Sequence, residues 1–139
     1  MKTEQLGISG FKAKKADHDE IEHGFRAVLD FEEAHPDLYQ YSSTRYYTRP
    51  VPENPEEEYW MFIDSSYDYA AYMASLKAAA QRPETKEMQA LIGKVFAHAD
   101  GFLTGDASLS DGLPNLMSII EHWTEVPSLR VEEMGKKQG

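Results

Sequence analysis

The spacing of apolar positions in the first third of the chain predicts a strand followed by a helix. Residues 6–15 alternate loosely between apolar and polar side chains, which is typical of a strand with one covered face. Asp17 and Glu20 have the spacing of a capping box, and apolar residues then recur at helical intervals until Pro36. The predicted buried stripe of this helix consists of Ile21, Phe25, Val28 and Leu29.

The next segment has the pattern of a β-hairpin. Residues 38–48 are rich in Tyr and Thr and alternate in two interleaved sets, which predicts a strand with polar aromatic side chains on both faces. The prolines within residues 49–55 are not tolerated in a central strand, so this segment is predicted to be the hairpin loop. Residues 58–64 form a nearly continuous apolar run, as expected for a central strand covered on both faces.

Helical spacing returns after the hairpin. Ser65 and Asp68 repeat the capping-box spacing, and apolar residues follow at helical intervals through the alanines at 78–80. Pro83 fits the first position of a further helical segment, and Gly101 stands where a helix commonly ends. The pattern predicts either one kinked helix or two separate helices.

The last third of the chain has the weakest pattern. Residues 101–115 are rich in Gly, Asp and Ser and predict a long loop, of a length typical of functional lids or disordered segments. Residues 116–126 suit a helix or a strand, and we prefer a strand because a βαββα arrangement needs one to complete its sheet. The polar residues 127–139 are predicted to form a mobile tail after a single domain at 1–126.

Composition narrows the classes of function. The chain of 139 residues, with 41% hydrophobic and 27% charged residues, has the size and balance of one globular domain. Its formal net charge of -10 is unfavourable for a nucleic-acid partner. The chain has no apolar run near the ~20 residues that cross a bilayer and no secretion signal, so a cytoplasmic location without a membrane partner is expected. The absence of cysteine excludes disulfides, thiolate metal sites and a cysteine nucleophile.

Residues 58–72, with the sequence EYWMFIDSSYDYAAY, join an apolar strand to a helix through a small polar cap, and an aromatic residue follows one turn into the helix. In this motif and in its order of elements, the chain from 6 to 126 resembles the dimeric α+β-barrel superfamily, which includes the small antibiotic-biosynthesis-type monooxygenases. The resemblance implies a ferredoxin-like βαββαβ fold with a four-stranded antiparallel sheet, helices on one face and a pocket between them. It also implies a homodimer in which two sheets close into a barrel.

The predicted sheet favours self-association independently of the resemblance. Helices on one face leave the other face open, where Trp60 or Phe62 of the central strand would add to an apolar patch larger than monomers usually tolerate. Covering that patch with a second copy under twofold symmetry is the common solution. A homodimer is therefore the expected partner state.

The resemblance implies a small-molecule enzyme that acts without a cofactor on an aromatic or polyketide-like substrate. Monooxygenases of this superfamily use Tyr, Trp, Asn or His groups to hold the substrate and steer its deprotonation, and small-molecule pockets combine apolar walls with a few polar groups. Packing aromatics of the core or an interface are the alternative reading of such residues. The predicted catalytic residues are His122 and Tyr72, and the predicted substrate-binding residues are Tyr41, Arg45, Tyr47, Trp60, Tyr69 and His98.

Arg45 has a particular requirement among these residues. It shares its predicted strand face with Tyr41 and Tyr47. A guanidinium that faces inward needs an anionic partner, which is either a carboxylate such as Glu121 or an acid group of the ligand.

Two Glu-x-x-His pairs, Glu20 with His23 and Glu32 with His35, have the spacing found in di-iron sites. Such sites need motifs on different helices, whereas both pairs here fall on one predicted helix, so a solvated polar face is preferred and no metal is expected. A haem-binding or haem-degrading protein is a further alternative, because haem-degrading members of the superfamily use a helical histidine. His98 lies more than a turn beyond that position, and a favourable contact with the helix dipole also explains it. A non-catalytic ligand-binding or regulatory homodimer is the remaining alternative.

Overall fold

The computed structural model describes residues 3–39, 41–100, 123–132 and 134, and its described part is an α+β fold with four strands and three α-helices. Short 3-10 turns at Lys15–Asp17 and Pro83–Thr85 lead into α1 and α3. None of the described helices is long and apolar enough to span a membrane. The elements are β1 (Gln5–Lys14), α1 (His18–Ala34), β2 (Ser43–Val51), β3 (Asn54–Ser66), α2 (Tyr69–Ala79), α3 (Lys86–Phe96) and β4 (Thr124–Val131).

The four strands form one antiparallel sheet in the order β1-β3-β2-β4. The predicted α+β class, the four-stranded antiparallel sheet and the central position of β3 are therefore confirmed. The ferredoxin-like strand order, in which the last strand lies beside β1, is not confirmed, because β4 pairs with β2. Helix α1 holds β4 at this edge: Ser128 donates a hydrogen bond of 2.6 Å to Glu22, and Arg26 donates to the Ser128 carbonyl oxygen.

The turn of the hairpin between β2 and β3 is shorter than the loop at 49–55 that the prolines predicted. Both strands extend towards each other, and only positions 52 and 53 form the turn. Pro50 is accommodated because the pairing of β2 with β4 ends at Thr48, so this part of β2 is an edge that needs no backbone donor on its outer side. A register shift also falls between Pro50 and Val51.

Strand β4 continues five residues beyond the predicted boundary at 126. It passes through Pro127 to Val131, and its pairing with β2 is irregular around that proline, with a register shift between Arg45 and Tyr47. An edge strand with a bulge tolerates proline, so residues 127–131 belong to the sheet. The predicted loop at 101–115 and the first part of the predicted last strand lie outside the described residues.

The helix starts differ from the predicted capping boxes. Asp17 occupies the N-cap position of α1 but makes no capping hydrogen bond. Asp68 caps α2, where its carboxylate accepts a hydrogen bond of 3.0 Å from the backbone amide of Ala71, so the cap is three residues later than the predicted Ser65. The open choice for the region before Gly101 is resolved as two helices, α2 and α3, joined by a turn at 80–82.

The helices cover one face of the sheet. The predicted stripe of α1 is confirmed, since the same four residues are its buried ones. Gly24 permits a close approach of α3, because a β-carbon at this position would lie 2.4 Å from Cγ2 of Val95. Trp60 and Phe62 face the helices, so their predicted place on the open face is wrong. On the open face β3 instead presents Tyr59, Met61 and Ile63.

Candidate functional site

The helix-facing side of the hairpin carries two cross-strand pairs that form the floor of the candidate site. Thr44 of β2 is directly opposite Asp64 of β3, and the next pair on the same face is Tyr46 with Phe62. The Thr44 hydroxyl donates a hydrogen bond of 2.7 Å to Asp64 Oδ1. Because directly opposed residues share a face, register alone places a carboxylate and two aromatic rings under the helices.

Two tyrosines from outside the sheet complete the polar part of the site. Tyr72, in the first turn of α2, donates a hydrogen bond of 2.7 Å to Asp64 Oδ2. Tyr41, just before β2, donates one of 2.7 Å to Oε1 of Glu32 on α1. Each carboxylate is thus held by phenol or alcohol hydroxyls, and both lie in the layer between sheet and helices.

These groups surround a cavity of about 140 Å³ between the sheet and helices α1, α2 and α3. The two carboxylates, Thr44 and aliphatic side chains form part of its lining. Among the described residues that line it there is no lysine, arginine or histidine. The aromatic residues of the lining are Phe25, Tyr41, Tyr46, Phe62, Tyr72 and Phe96.

Burial controls the protonation of the two carboxyl groups. It raises the pKa of Glu32 to about 7, against the opposing effect of the Tyr41 hydrogen bond, and the negative charge of Asp64 raises it further. Burial also raises the pKa of Asp64, while the hydrogen bonds from Thr44 and Tyr72 act in the opposite direction. Glu32 therefore changes its protonation near neutral pH, where a general acid or base is most effective.

The buried tyrosines stay protonated. Burial, followed by the nearby carboxylates, raises the pKa of Tyr41 and Tyr72 far above the ordinary value. Tyr46 shows the same direction for the same causes. Tyr39 lies outside the cavity lining, its pKa is raised to about 12 by burial and by Glu32, and its buried hydroxyl has no hydrogen-bond partner among the described residues. Tyr41 and Tyr72 therefore act as hydrogen-bond donors and not as bases.

A second cavity of about 180 Å³ adjoins the first between β1 and α2. The two share Asp64, Tyr72 and Phe62, so the Tyr72–Asp64 hydrogen bond lies between them. Met73, which is exposed, also lines the second cavity and connects it with the surface. The second cavity therefore leads from the surface towards Asp64.

The structure brings three of the predicted site residues together. Tyr41 and Tyr72 line the first cavity, and Tyr69 lines the second. Tyr41 was predicted to share a strand face with Arg45 and Tyr47, but β2 begins only at Ser43, so the alternation of the strand does not apply to it.

The other predicted site residues lie elsewhere. Arg45 and Tyr47 are on the open face, and Arg45 Nε is 4.0 Å from Glu125 Oε2. Glu125 is thus its described anionic partner, and the predicted partner Glu121 lies outside the described residues. Trp60 is fully buried and stacks on Phe11 with a centroid distance of 6.3 Å, away from the cavity lining.

Of the two predicted histidines, the structure describes His98, which does not line the cavity. His98 follows α3, and its ring nitrogens lie 3.0 Å from Asp17 and 3.1 Å from Glu20 beside a groove between α1 and α3. This contact with the start of α1 explains why Asp17 does not cap that helix. His122, the predicted catalytic histidine, lies outside the described residues.

The residues that sequence reasoning missed are the acids themselves. Glu32 was assigned to a solvated face with His35, yet the spacing of Phe25, Leu29 and Glu32 continues the buried stripe. His35 turns away and its Nδ1 lies 2.8 Å from the carbonyl oxygen of Phe31. Asp64 lies near the end of an apolar strand, four positions after Trp60. Because alternate residues of a strand share a face, this spacing could have indicated that Asp64 lies on the same face as Trp60.

The most metal-like set of donor groups in the described ranges is on the first turn of α1. Donor atoms of His18, Asp19 and Glu22 lie within 4.8 Å of one another. His18 is engaged by a fourth group, since its Nδ1 is 2.6 Å from Glu58 Oε1. This set is separate from the cavity and includes neither predicted Glu-x-x-His pair.

Comparison with known proteins adds no relative. Scans against protein-family models, curated proteins and solved structures each found no match to this chain. The class of protein that the fold and the site define is an α+β domain with a small, acidic, aromatic-lined cavity between sheet and helices.

Proposed function

We propose that the cavity between the sheet and the helices binds a compact small molecule and that Glu32 transfers a proton to or from it. The observation behind this proposal is a pair of partly buried carboxyl groups beside the cavity, whose hydrogen-bond donors among the described side chains are hydroxyl groups. Buried acids with altered pKa values in a cleft are a recognised sign of a functional site.

In this proposal each polar side chain has a distinct role. Glu32, with its pKa of about 7, is the group that accepts a proton as carboxylate or donates one as acid. Tyr41 orients it through the 2.7 Å hydrogen bond. Asp64 supplies negative charge and is fixed by Thr44 and Tyr72.

The small size of the cavity favours a smaller ligand than the aromatic or polyketide-like substrate that the sequence led us to expect. A volume of about 140 Å³ is below the usual range of about 300–1,000 Å³ for pockets that hold drug-sized ligands. An aromatic or polyketide-like substrate of a monooxygenase-type enzyme needs the second cavity as well, or an opening of Tyr72 from Asp64. We therefore favour a ligand no larger than a single ring.

A metabolite-depletion assay tests this proposal. The protein is incubated with a pool of small polar metabolites, and mass spectrometry measures which compounds are retained or chemically changed. We expect a compact compound to be affected by the wild type and by Asp30→Asn, an exposed carboxylate on the same helix, but not by Glu32→Gln. Equal behaviour of Glu32→Gln and the wild type would contradict the proposal.

The assay also separates the two functional classes. A compound that is retained unchanged, and whose retention depends on Glu32, favours a non-catalytic ligand-binding protein. The specific observation behind this alternative is the small volume of the cavity, which leaves little room for a second reactant. Conversion of the compound favours an enzyme.

We further propose a homodimer in which the open faces of two sheets meet. This face carries Met61 and Ile63, and on the edge strand β1 it exposes 56% of Leu6 and 64% of Ile8. Light scattering after gel filtration tests the mass in solution, which should be that of two chains. Ile8→Asp should reduce it to one chain, whereas Gln5→Asp on the opposite face of β1 should leave it unchanged, and a monomeric wild type would contradict this part.

A further inference from the structure

Within the described part of the chain, the negative charges around the first cavity have no basic side chain to balance them. Its lining contains two carboxyl groups and, among the described residues, no basic side chain. Arg26, on the same helix as Glu32, is engaged elsewhere, at 2.9 Å from Glu33 and 3.0 Å from Asp30. Carboxylates that are largely withdrawn from water, as these two partly buried groups are, normally have a cationic partner, so the complementary charge is expected from the occupant of the cavity.

The walls of the cavity suit a cation that is itself apolar on its surface. The rings of Phe25, Tyr46 and Phe62 pack together with centroid distances of 4.7, 5.4 and 6.0 Å, and Tyr41 lies 5.7 Å from Tyr72. Aromatic faces attract cations through their quadrupole, and quaternary ammonium groups are the usual ligands of such aromatic cages. A metal ion would gain little from these apolar walls.

The volume agrees with the same class of ligand. An engineered apolar cavity of about 150 Å³ accepts benzene, and the cavity here has about 140 Å³. A trimethylammonium group is no larger than that ring. The formal net charge of -10 also raises the local concentration of cations around the protein.

We infer that the cavity binds a small organic cation of the methylated-ammonium class, with Glu32 and Asp64 as its counter-charge and the aromatic rings as its walls. This inference rests on the proposed small-molecule site and specifies its ligand. Binding and protonation compete at Glu32, because a proton on this carboxyl group removes the charge that the cation needs. The cation therefore binds more tightly as the pH rises through about 7.

Isothermal titration calorimetry with choline and with the neutral alcohol in which carbon replaces its nitrogen tests this inference. The two probes have the same shape, so the difference in affinity measures the charge. At about pH 8 we expect choline to bind at least about tenfold more tightly than the alcohol, and we expect this advantage to shrink at about pH 5. The full-length chain is used throughout.

Matched variants locate the effect. Glu32→Gln and Asp64→Asn should each weaken choline binding by about tenfold, while Asp30→Asn should not change it. Circular dichroism of each variant checks that it is folded, and the pH dependence of the wild type tests the inference without any variant. Choline binding that is insensitive to both substitutions would place the ligand elsewhere and overturn the inference.

The outcomes distinguish the inference from the proposed function. Equal affinity for choline and the neutral alcohol, with both lost when Ile92→Trp fills the cavity, overturns the cationic ligand and leaves the small-molecule site standing. Binding of neither probe, together with no Glu32-dependent compound in the metabolite assay, overturns both.

Discussion

The two ends of strand β3 place a carboxylate in opposite surroundings. At one end, Glu58 accepts a hydrogen bond of 3.1 Å from Trp60 Nε1 and lies 2.6 Å from His18, a side chain that carries positive charge when protonated. Six positions later on the same face, the described side-chain donors to Asp64 are the hydroxyls of Thr44 and Tyr72. Both environments are built by the same sheet and covered by the same layer of helices.

This difference indicates that the Glu58 end of β3, the structural end, stabilises the fold, whereas the Asp64 end, the open end, can bind a ligand or react with it. At Glu58, the protein itself supplies the hydrogen-bonding partners, which are Trp60 and the ionisable side chain of His18, so no ligand is required. Around Asp64 and Glu32, the protein supplies neutral donors, a cavity and raised pKa values. Burying an acidic group without a charge partner lowers the stability of the fold. Proteins usually keep such groups where they have a function.

The largest effect is expected at the structural end. Trp60 is fully buried and packs against Phe11 and Phe25. Trp60→Ala should lower the free energy of unfolding by about 3–5 kcal/mol, measured by urea denaturation. Tyr59→Ala, a change on the other face of the same strand, should cost clearly less. A loss below about 1 kcal/mol for Trp60→Ala would show that this end is not the structural one.

The next effect concerns the pH dependence at the open end. Burial raises the pKa of Glu32 from 4.5 to about 7, so its contribution to stability is complete below about 4.5 and is lost as the pH rises through about 7. Glu32→Gln, which stays neutral, lacks this loss. Between about pH 4.5 and 8 the free energy of unfolding of the variant should improve relative to wild type by about 3 kcal/mol at most. Parallel pH profiles of the two proteins would contradict the raised pKa.

Removing His18, the ionisable partner of Glu58, should leave Glu58 without a charged partner, as Asp64 is at the other end of the strand. His18→Ala leaves this buried carboxylate with Trp60 as its remaining described side-chain donor, and should cost about 2 kcal/mol at neutral pH. His23→Ala, an exposed change on the same helix, is the control in the same denaturation experiment. Equal stability of the two variants would refute the assigned role of His18.

The smallest effect is expected at the hydrogen bond between the two cavities. Tyr72→Phe removes one donor from Asp64 but keeps the ring, and should cost about 1 kcal/mol at neutral pH. Because this bond lowers the pKa of Asp64, the cost should fall towards low pH, where Asp64 is protonated. Tyr47→Phe on the open face serves as the control. A pH-independent cost would indicate a packing effect and not a lost hydrogen bond to the carboxylate.

The candidate site was only partly predictable from the sequence. Tyr41 and Tyr72, which the sequence predicted to be site residues, both line the first cavity. Arg45 and Tyr47 were placed on the wrong side of the sheet, since the start of β2 shifted the alternation relative to Tyr41. Glu32 was missed because a charged residue on a helix is usually solvated, and Asp64 because it stands at the end of an apolar strand.

The sequence by itself determined the local elements of this protein. The apolar spacing of α1 specified its buried residues, and the apolar run of β3 specified a central strand, because both patterns depend on neighbours along the chain. Only the tertiary structure decided which face of β3 lies under the helices, which edge receives β4, and that Glu32 meets Tyr41 beside Asp64. These are contacts between distant segments, and their energies depend on burial and strand register, which no local pattern of residues contains.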